Sequence, residues 1–264
     1  MDKPHISFAG AGRVASGLCR ELFRLGYPID MVVSKTEKSG ESLATSVSAV
    51  WSQNLDFPET TGLIIVAVPD NKLESVLSSV QCSSRTAVVH TAGSYGLDIF
   101  PGKIRKKGVF YPLQTFSPGR HLNFREIPFL LESDDESTRE ILHEIASAIS
   151  RNVSFVDVEK RLMLHLSAIF VSNFTNYMFT AGSEIVRKAG FGLDILDPLI
   201  KETVSKALEM GPQRSQTGPA FRNDTVTIEK HLGLLSSTPE LRELYKSVTQ
   251  SIIDHYKNKN SDQF

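Results

Sequence analysis

The chain has 264 residues, of which 41% are hydrophobic and 22% charged, and its formal net charge is −1. This is the composition of a soluble globular protein, with room for one large domain or two of usual size. No long basic run exists to attract a polyanion, which argues against nucleic acid or a membrane surface as the main partner.

The amino terminus, Met1-Asp2-Lys3-Pro4, leads at once into a strand and leaves no room for a signal peptide. Short apolar runs then alternate with helix-like stretches. His5–Ala9, Met31–Ser34, Val47–Trp51, Leu63–Val68 and Ala87–Thr91 read as strands, and Ala15–Leu25 and Asn71–Val80 as amphipathic helices. Leu63–Val68 is apolar throughout, as a strand buried on both faces is. This alternation predicts an α/β fold of the Rossmann type, doubly wound on a mainly parallel sheet. Lys103–Lys107 (KIRKK) is the densest basic cluster, and it reads as a solvated loop or helix end after a Pro-Gly turn. Val109–Tyr111, Phe129–Glu132 and Val153–Val156 are further strands whose longer connections extend the sheet at one edge.

From about Glu159 the period turns helical. Glu159–Ala189 reads as one long helix ending at Gly190, and Leu193–Met210 as a second ending at Gly211-Pro212. A loop over Gln213–Asp224 follows, then helices near Val226–Leu235 and Pro239–Tyr256, with a frayed tail from Lys257 to Phe264. The predicted organisation is a dinucleotide-binding domain over residues 1–157 and an all-helical domain over 158–264. Leu162–Val171 is interrupted by His165 and Ser167, too short and too polar to span a bilayer. Cys19 and Cys82 stand far apart in no metal-ligand spacing, so neither a disulfide framework nor a metal site is expected, and a reducing cytoplasm fits.

Gly10-Ala11-Gly12-Arg13-Val14-Ala15 fits the pattern G-x-G-x-x-G/A, directly after the first strand and at the opening of a helix. Gly10 permits the tight turn, Gly12 lets a pyrophosphate approach the backbone, and small Ala15 lets the helix pack on the sheet. The helix amino end adds N–H donors and partial positive charge. At the tip of the second strand stand Ser34, Lys35 and Thr36, where an acid would select a ribose 2′-hydroxyl. Asp30 lies at the wrong end of that strand. A cation and two hydroxyls suit a 2′-phosphate, so NADP(H) is expected over NAD(H). Val68-Pro69-Asp70 forms the turn after the fourth strand at the same edge, where Asp70 serves either the cofactor or only the helix amino terminus.

These pieces together resemble pyrroline-5-carboxylate reductase and the wider 6-phosphogluconate dehydrogenase-like superfamily. His90-Thr91-Ala92-Gly93-Ser94, Tyr111-Pro112-Leu113-Gln114-Thr115-Phe116 and Thr217–Asp224 (TGPAFRND) occur in this order. With them the chain is similar to Rossmann-like proteins described as NADP oxidoreductases that carry a carboxy-terminal domain of unknown function. The resemblance implies NADP binding, two domains and a helical second domain that often makes a homodimer; it names no substrate. Two departures matter. Hydroxyacid dehydrogenases of the superfamily carry a catalytic lysine four residues before an asparagine, whereas Asn173 is preceded there by Ile169. Tyr111 stands where many relatives have histidine.

Ligands of open α/β sheets lie outside the carboxyl ends of the strands, where His90–Ser94 and Tyr111–Thr115 fall. His90, Ser94 and Tyr111 are candidate proton donors or polarising groups, although His90 also suits a satisfied core histidine and Gln114-Thr115 a simple turn. On the long helix His165, Ser172, Asn173 and Asn176 share one face at i, i+7, i+8 and i+11, amid residues apolar nearly all round. Such a helix is expected to be mostly buried. Its polar stripe then needs partners, either a cleft facing the nicotinamide with His165 as acid, or a hydrogen-bonded seam between helices or protomers. Arg222 could clamp a substrate carboxylate or pair with Asp224 as a structural tie. The expected activity is NADP(H)-dependent reduction of a C=N or C=O bond in a small polar metabolite, with His165, Asn173, Ser94 and His90 around the acceptor. The other reading is a non-catalytic NADP(H)-binding sensor or scaffold.

Overall fold

Among the described residues eight strands build one sheet: β1 (Ile6–Ala9), β2 (Ile29–Val33), β3 (Val50–Ser52), β4 (Leu63–Val66), β5 (Ala87–His90), β6 (Lys107–Pro112), β7 (Phe129–Ser133) and β8 (Val153–Phe155). The computed structural model describes residues 3–261, with side chains as far as Lys257. Met1, Asp2 and the end of the expected frayed tail, 262–264, lie outside the described residues. Strand order is β3-β2-β1-β4-β5-β6-β7-β8. All neighbours pair in parallel except β6 and β7, whose antiparallel register sets Tyr111 opposite Leu130. The order reverses direction between β1 and β4, and that switch point is where a doubly wound sheet opens a crevice.

Period-two alternation explains why β4 is apolar at every position. Leu63 and Ile65 join a core with Leu18 and Leu22 of α1 (Arg13–Arg24), Leu43 of α2 (Glu37–Ser46), and Ile145 of α4 (Glu136–Ile149). Ile64 and Val66 point the other way, into a second core with Leu73 and Leu77 of α3 (Asp70–Ser79). A strand that feeds two cores has no face left for polar side chains.

The expected helix 159–189 is interrupted. It consists of α5 (Val158–Ala168), a π-helical segment Ile169–Phe174, and α6 (Thr175–Lys188), ended by Gly190 at φ +85°. Each π turn takes up more residues than an α turn, so His165 and the residues from Ser172 onward do not share one uninterrupted α-helical face. Leu193–Leu196 is a 3₁₀ turn leading into α7 (Asp197–Met210). The expected loop 213–224 holds two helical turns instead, α8 (Pro212–Ser215) and α9 (Pro219–Arg222), each opened by a proline at the first position. α10 (Thr225–Leu234) and α11 (Pro239–Ser261) complete the described residues.

Two compact units emerge, Met1–Asn173 and Phe174–Phe264. The expected division after residue 157 falls at the start of α5. That helix belongs with the sheet because Arg161, fully buried, bonds Glu132 of β7 and the Tyr95 carbonyl. The second unit has a small core of Ala181, Leu235 and Leu241, with Leu244 and Tyr245 packed beside it. The expectation that the long helix is mostly buried needs correction: Met163 is 62% and Val171 76% exposed, and Leu166 and Tyr177 are exposed as well. Apolar composition all round told that these side chains seek cover, but a single chain does not supply it. No helix among the described residues is long and apolar enough to cross a membrane.

Candidate functional site

The glycine turn is a backbone device. Gly10 has φ +119°, its N–H donates to the Val33 carbonyl at 2.7 Å, and a Cβ there would lie 2.2 Å from the Ala67 carbonyl oxygen. No L side chain fits. A Cβ on Gly12 would meet nothing within 4 Å, so that glycine opens onto space and not onto protein. Gly12 is also the amino-terminal cap residue of α1 and supplies no side-chain cap, which leaves the helix's first N–H groups directed at whatever occupies the turn.

Beside it lies a cavity of about 380 Å³, lined by Gly10, Ala11 and Gly12, by Ser34, Lys35 and Thr36, and by Val68 and Pro69. Most of the expected cofactor residues are thus gathered round one space. Ala15 is fully buried and packs α1 on the sheet, Val14 is half-buried, and Arg13 lines a neighbouring groove. Lys72, Ser39 and Trp51 went unforeseen. Lys72 and Ser39 also line the cavity. The Ser34 hydroxyl donates to the Thr36 carbonyl at 2.9 Å and accepts from Trp51 Nε1 at 3.2 Å, so it shapes the tip and is not a loose donor. α2 is pressed onto this pair: a Cβ on Gly40 would lie 2.0 Å from Ser34 Oγ and 2.3 Å from Trp51 Nε1. Asp30 is turned to His5 at 2.6 Å and to Thr60 and Thr61 at 3.0 Å, at the start of β2.

The residues fit a dinucleotide bearing a 2′-phosphate. A turn that excludes any Cβ on its inner side stands open on the other, before an uncapped helix end, and Lys35 and Lys72 line the cavity where an acid would repel phosphate.

The ends of β4, β5 and β6 carry a second group of residues. Asp70, the first residue of α3, accepts a hydrogen bond from Ser94 Oγ at 2.6 Å, and the cap position belongs to Pro69. Asp70 is therefore neither a side-chain cap nor loose in the cavity. Tyr111, at the end of β6, and His165, on α5, meet through Oη and Nδ1 at 2.9 Å with their rings edge to face. Gly93 makes room for both, since a Cβ there would lie 2.7 Å from His165 Nδ1 and 3.0 Å from the Tyr111 ring. Burial first, and Asp70 second, push the Tyr111 phenol up from its ordinary range, while Arg161 pulls the other way. The phenol stays protonated at neutral pH.

His90 requires correction as a candidate acid. It is fully buried, its Nδ1 accepts from the Ala92 N–H at 3.2 Å, its Nε2 faces the Gly96 carbonyl, and its ring stacks on Phe100. Burial depresses its pKa to about 4. It is a neutral core histidine. Asn173 lies in the π segment, exposed and without a side-chain hydrogen bond among the described residues. In the second unit Asp224 caps α10, accepting from Thr227 N at 3.1 Å and Thr227 Oγ1 at 2.7 Å, and those bonds hold its carboxyl below the usual range. Arg222 is exposed, and its charge adds to that lowering only after the Thr227 bonds.

The Tyr111–His165 pair had only partial sequence signals, because 54 positions separate the two residues. Arg161 had none: an arginine on the polar side of a helix start reads as solvated. Here it is buried, bonded to Glu132 and Tyr95, with Nε unpartnered. It fastens α5, one turn before His165, to the loop that carries Gly93 and Ser94.

The family described as coenzyme F420-dependent NADP oxidoreductase matches residues 5–93, and the family described as a domain of unknown function, DUF2520, matches residues 127–252. A Bacteroides fragilis protein provisionally described as an NADP oxidoreductase is 36% identical, with TM-score 0.88, over 96% of this chain and 98% of that one. The chain belongs to this family of NADP oxidoreductases. An imine reductase from Myxococcus stipitatus, solved with NADP+, shares the fold at 18% identity and TM-score 0.67, over 98% of this chain and 95% of its own. A reductive aminase from Aspergillus terreus, solved with NADPH and ethyl-5-oxohexanoate, does so at 11% and 0.70, over 96% and 95%. No curated protein matches the sequence.

Proposed function

We propose that the chain is an NADPH-dependent reductase of a C=N or C=O bond in a small polar metabolite. The observation that carries this reading is the half-buried Tyr111–His165 pair, set beside the Ser94–Asp70 bond at the carboxyl edge of the strands. The fold shared with an imine reductase and a reductive aminase supports the C=N alternative, at identities that speak for fold alone.

NADPH, when bound, supplies the hydride. The protein's part is to hold, orient and protonate. Gly10–Ala15 would hold the diphosphate, Lys35, Thr36 and Lys72 the 2′-phosphate, and Val68–Asp70 the ribose nearer the reacting end. Reduction of C=N or C=O leaves a basic nitrogen or oxygen that needs a proton. Tyr111, kept protonated by burial, is placed to give one, and His165 Nδ1 is placed to share and restore it. Ser94 fixes the Asp70 turn, and exposed Asn173 remains available to orient an acceptor. His90 has no part in the chemistry.

A homodimer completes the proposal. Met163, Leu166 and Val171 are each more than 40% exposed within nine residues of one helical run, a density of apolar surface that soluble monomers rarely present. A second copy of the chain is the proposed cover, and sedimentation as a monomer at micromolar concentration would overturn it. A reducing cytoplasm is the proposed location, and the sparse cysteine usage of the sequence supports it.

The test of the activity has two stages. Fluorescence titration is expected to give tighter binding of NADPH than of NADH; equal affinities, or none, overturn the cofactor assignment. NADPH oxidation is then followed against imines and oxoacids. Turnover that drops in Tyr111→Phe and His165→Ala supports the reductase. Tight NADPH binding with no turnover across the panel favours the sensor instead.

A further inference from the structure

A second cavity lies on the outer side of the same glycine turn. It has a volume of about 660 Å³ and runs between α1 and the segment 116–124. Arg13, Arg20 and Arg24 recur at i, i+7 and i+11 on α1, which puts them on one helical face, and all three line it. Arg120 lines it from the facing segment. Arg24 is neutralised by Glu21 through two bonds of 2.8 and 2.6 Å. Arg13, Arg20 and Arg120 have no ion-pair partner among the described residues, and Arg20 reaches only the Ser46 hydroxyl at 3.3 Å.

The groove is built and is not merely a basic stretch of surface. Gly17 leaves a gap in the arginine stripe, and the Phe116 ring fills it: a Cβ on Gly17 would lie 2.9 Å from two ring atoms. Phe124 leans on Phe116 with 6.2 Å between ring centroids. The floor is therefore aromatic and the rim cationic, in a chain whose overall charge is −1.

From this combination we propose that the groove binds a small, multiply phosphorylated molecule carrying a planar ring, of the nucleoside di- or triphosphate class, in addition to the dinucleotide. Guanidinium forks match phosphate oxygens in pairs, and Arg20 and Arg120, the two guanidiniums without counterions that lie outside the glycine turn, complement the charge of two phosphates. Phe124, half-buried beside the buried Phe116, offers an apolar surface for the ring. The volume suits a ligand of that size. A macromolecular polyanion fits less well, because the charge is gathered in one concave groove and not spread along a face.

Calorimetry on the full chain saturated with NADPH tests this, with ADP and inorganic pyrophosphate as probes. ADP is expected to bind one per chain, at least several-fold tighter than pyrophosphate. The double variant Arg20→Gln/Arg120→Gln is expected to lose tenfold or more in ADP affinity with NADPH affinity unchanged; both residues are exposed, so the variant keeps its fold. No ADP binding in the presence of NADPH, or binding indifferent to the double variant, overturns the proposal. Equal affinity for ADP and pyrophosphate overturns the nucleotide class. If NADPH itself fails to bind, that failure belongs to the reductase reading, and the same ADP titration is run on Lys35→Glu, whose dinucleotide cavity repels phosphate.

Discussion

The glycine turn and the Tyr111–His165 corner lie along the carboxyl edge of the same sheet and are made in opposite ways. The turn is six consecutive residues whose backbone would do the binding. The corner is two side chains brought together from β6 and α5, with Gly93 between them and Arg161 holding the helix in place. A site of the first kind is fixed by local sterics, and a site of the second kind depends on tertiary packing being right to within a few tenths of an ångström.

Substitution at Gly10 should break the first kind most severely. Gly10→Val sets a side chain against the Ala67 carbonyl at positive φ, and the expected cost is on the order of 3 kcal/mol or more, read as a fall in denaturant midpoint together with loss of NADPH binding. Tyr111→Phe separates the two regions. NADPH affinity should hold while kcat drops by roughly 10²–10⁴, the range expected for a positioned acid; an unchanged kcat would remove Tyr111 from proton transfer.

His90 sharpens the contrast through pH. Its folded pKa of about 4 lies below its ordinary 6.5, so the unfolded chain takes up a proton before the folded one does. Stability should therefore fall as pH drops from about 6.5 towards about 4 and level off below, by on the order of 3 kcal/mol in total. Urea melts of the wild type and of His90→Gln across that window test it, and parallel curves would refute the assignment. The smallest effect belongs to Lys35→Ala, expected to reduce the preference for NADPH over NADH about tenfold, by the loss of one charge-assisted contact.

The contrast also explains what could be read in advance. All eight strands carry their own signal, in short apolar runs with turn residues between them, and the cavity round Gly10, Ser34 and Val68 follows from where strand ends must lie. His90, at a strand end, and His165, on the long helix, are both candidate acids in the sequence, with His165 preferred and His90 suited to the core as well. What separates them is whether each ring nitrogen is already satisfied by the protein, and only the folded chain reveals that. The π segment was invisible because it leaves the apolar content of the helix unchanged and alters only its winding. The exposed face of α5 and α6 was misjudged for a related reason: composition specifies that cover is wanted, without specifying who provides it.

Trp51 is the chain's sole tryptophan, and its indole N–H is tied to Ser34 at the wall of the cavity proposed for the dinucleotide. The protein thus carries a built-in optical gauge. Ultraviolet emission from this one indole comes from a single address, and it overlaps the absorption of a reduced nicotinamide, so filling of the crevice should register as quenching without any label being attached.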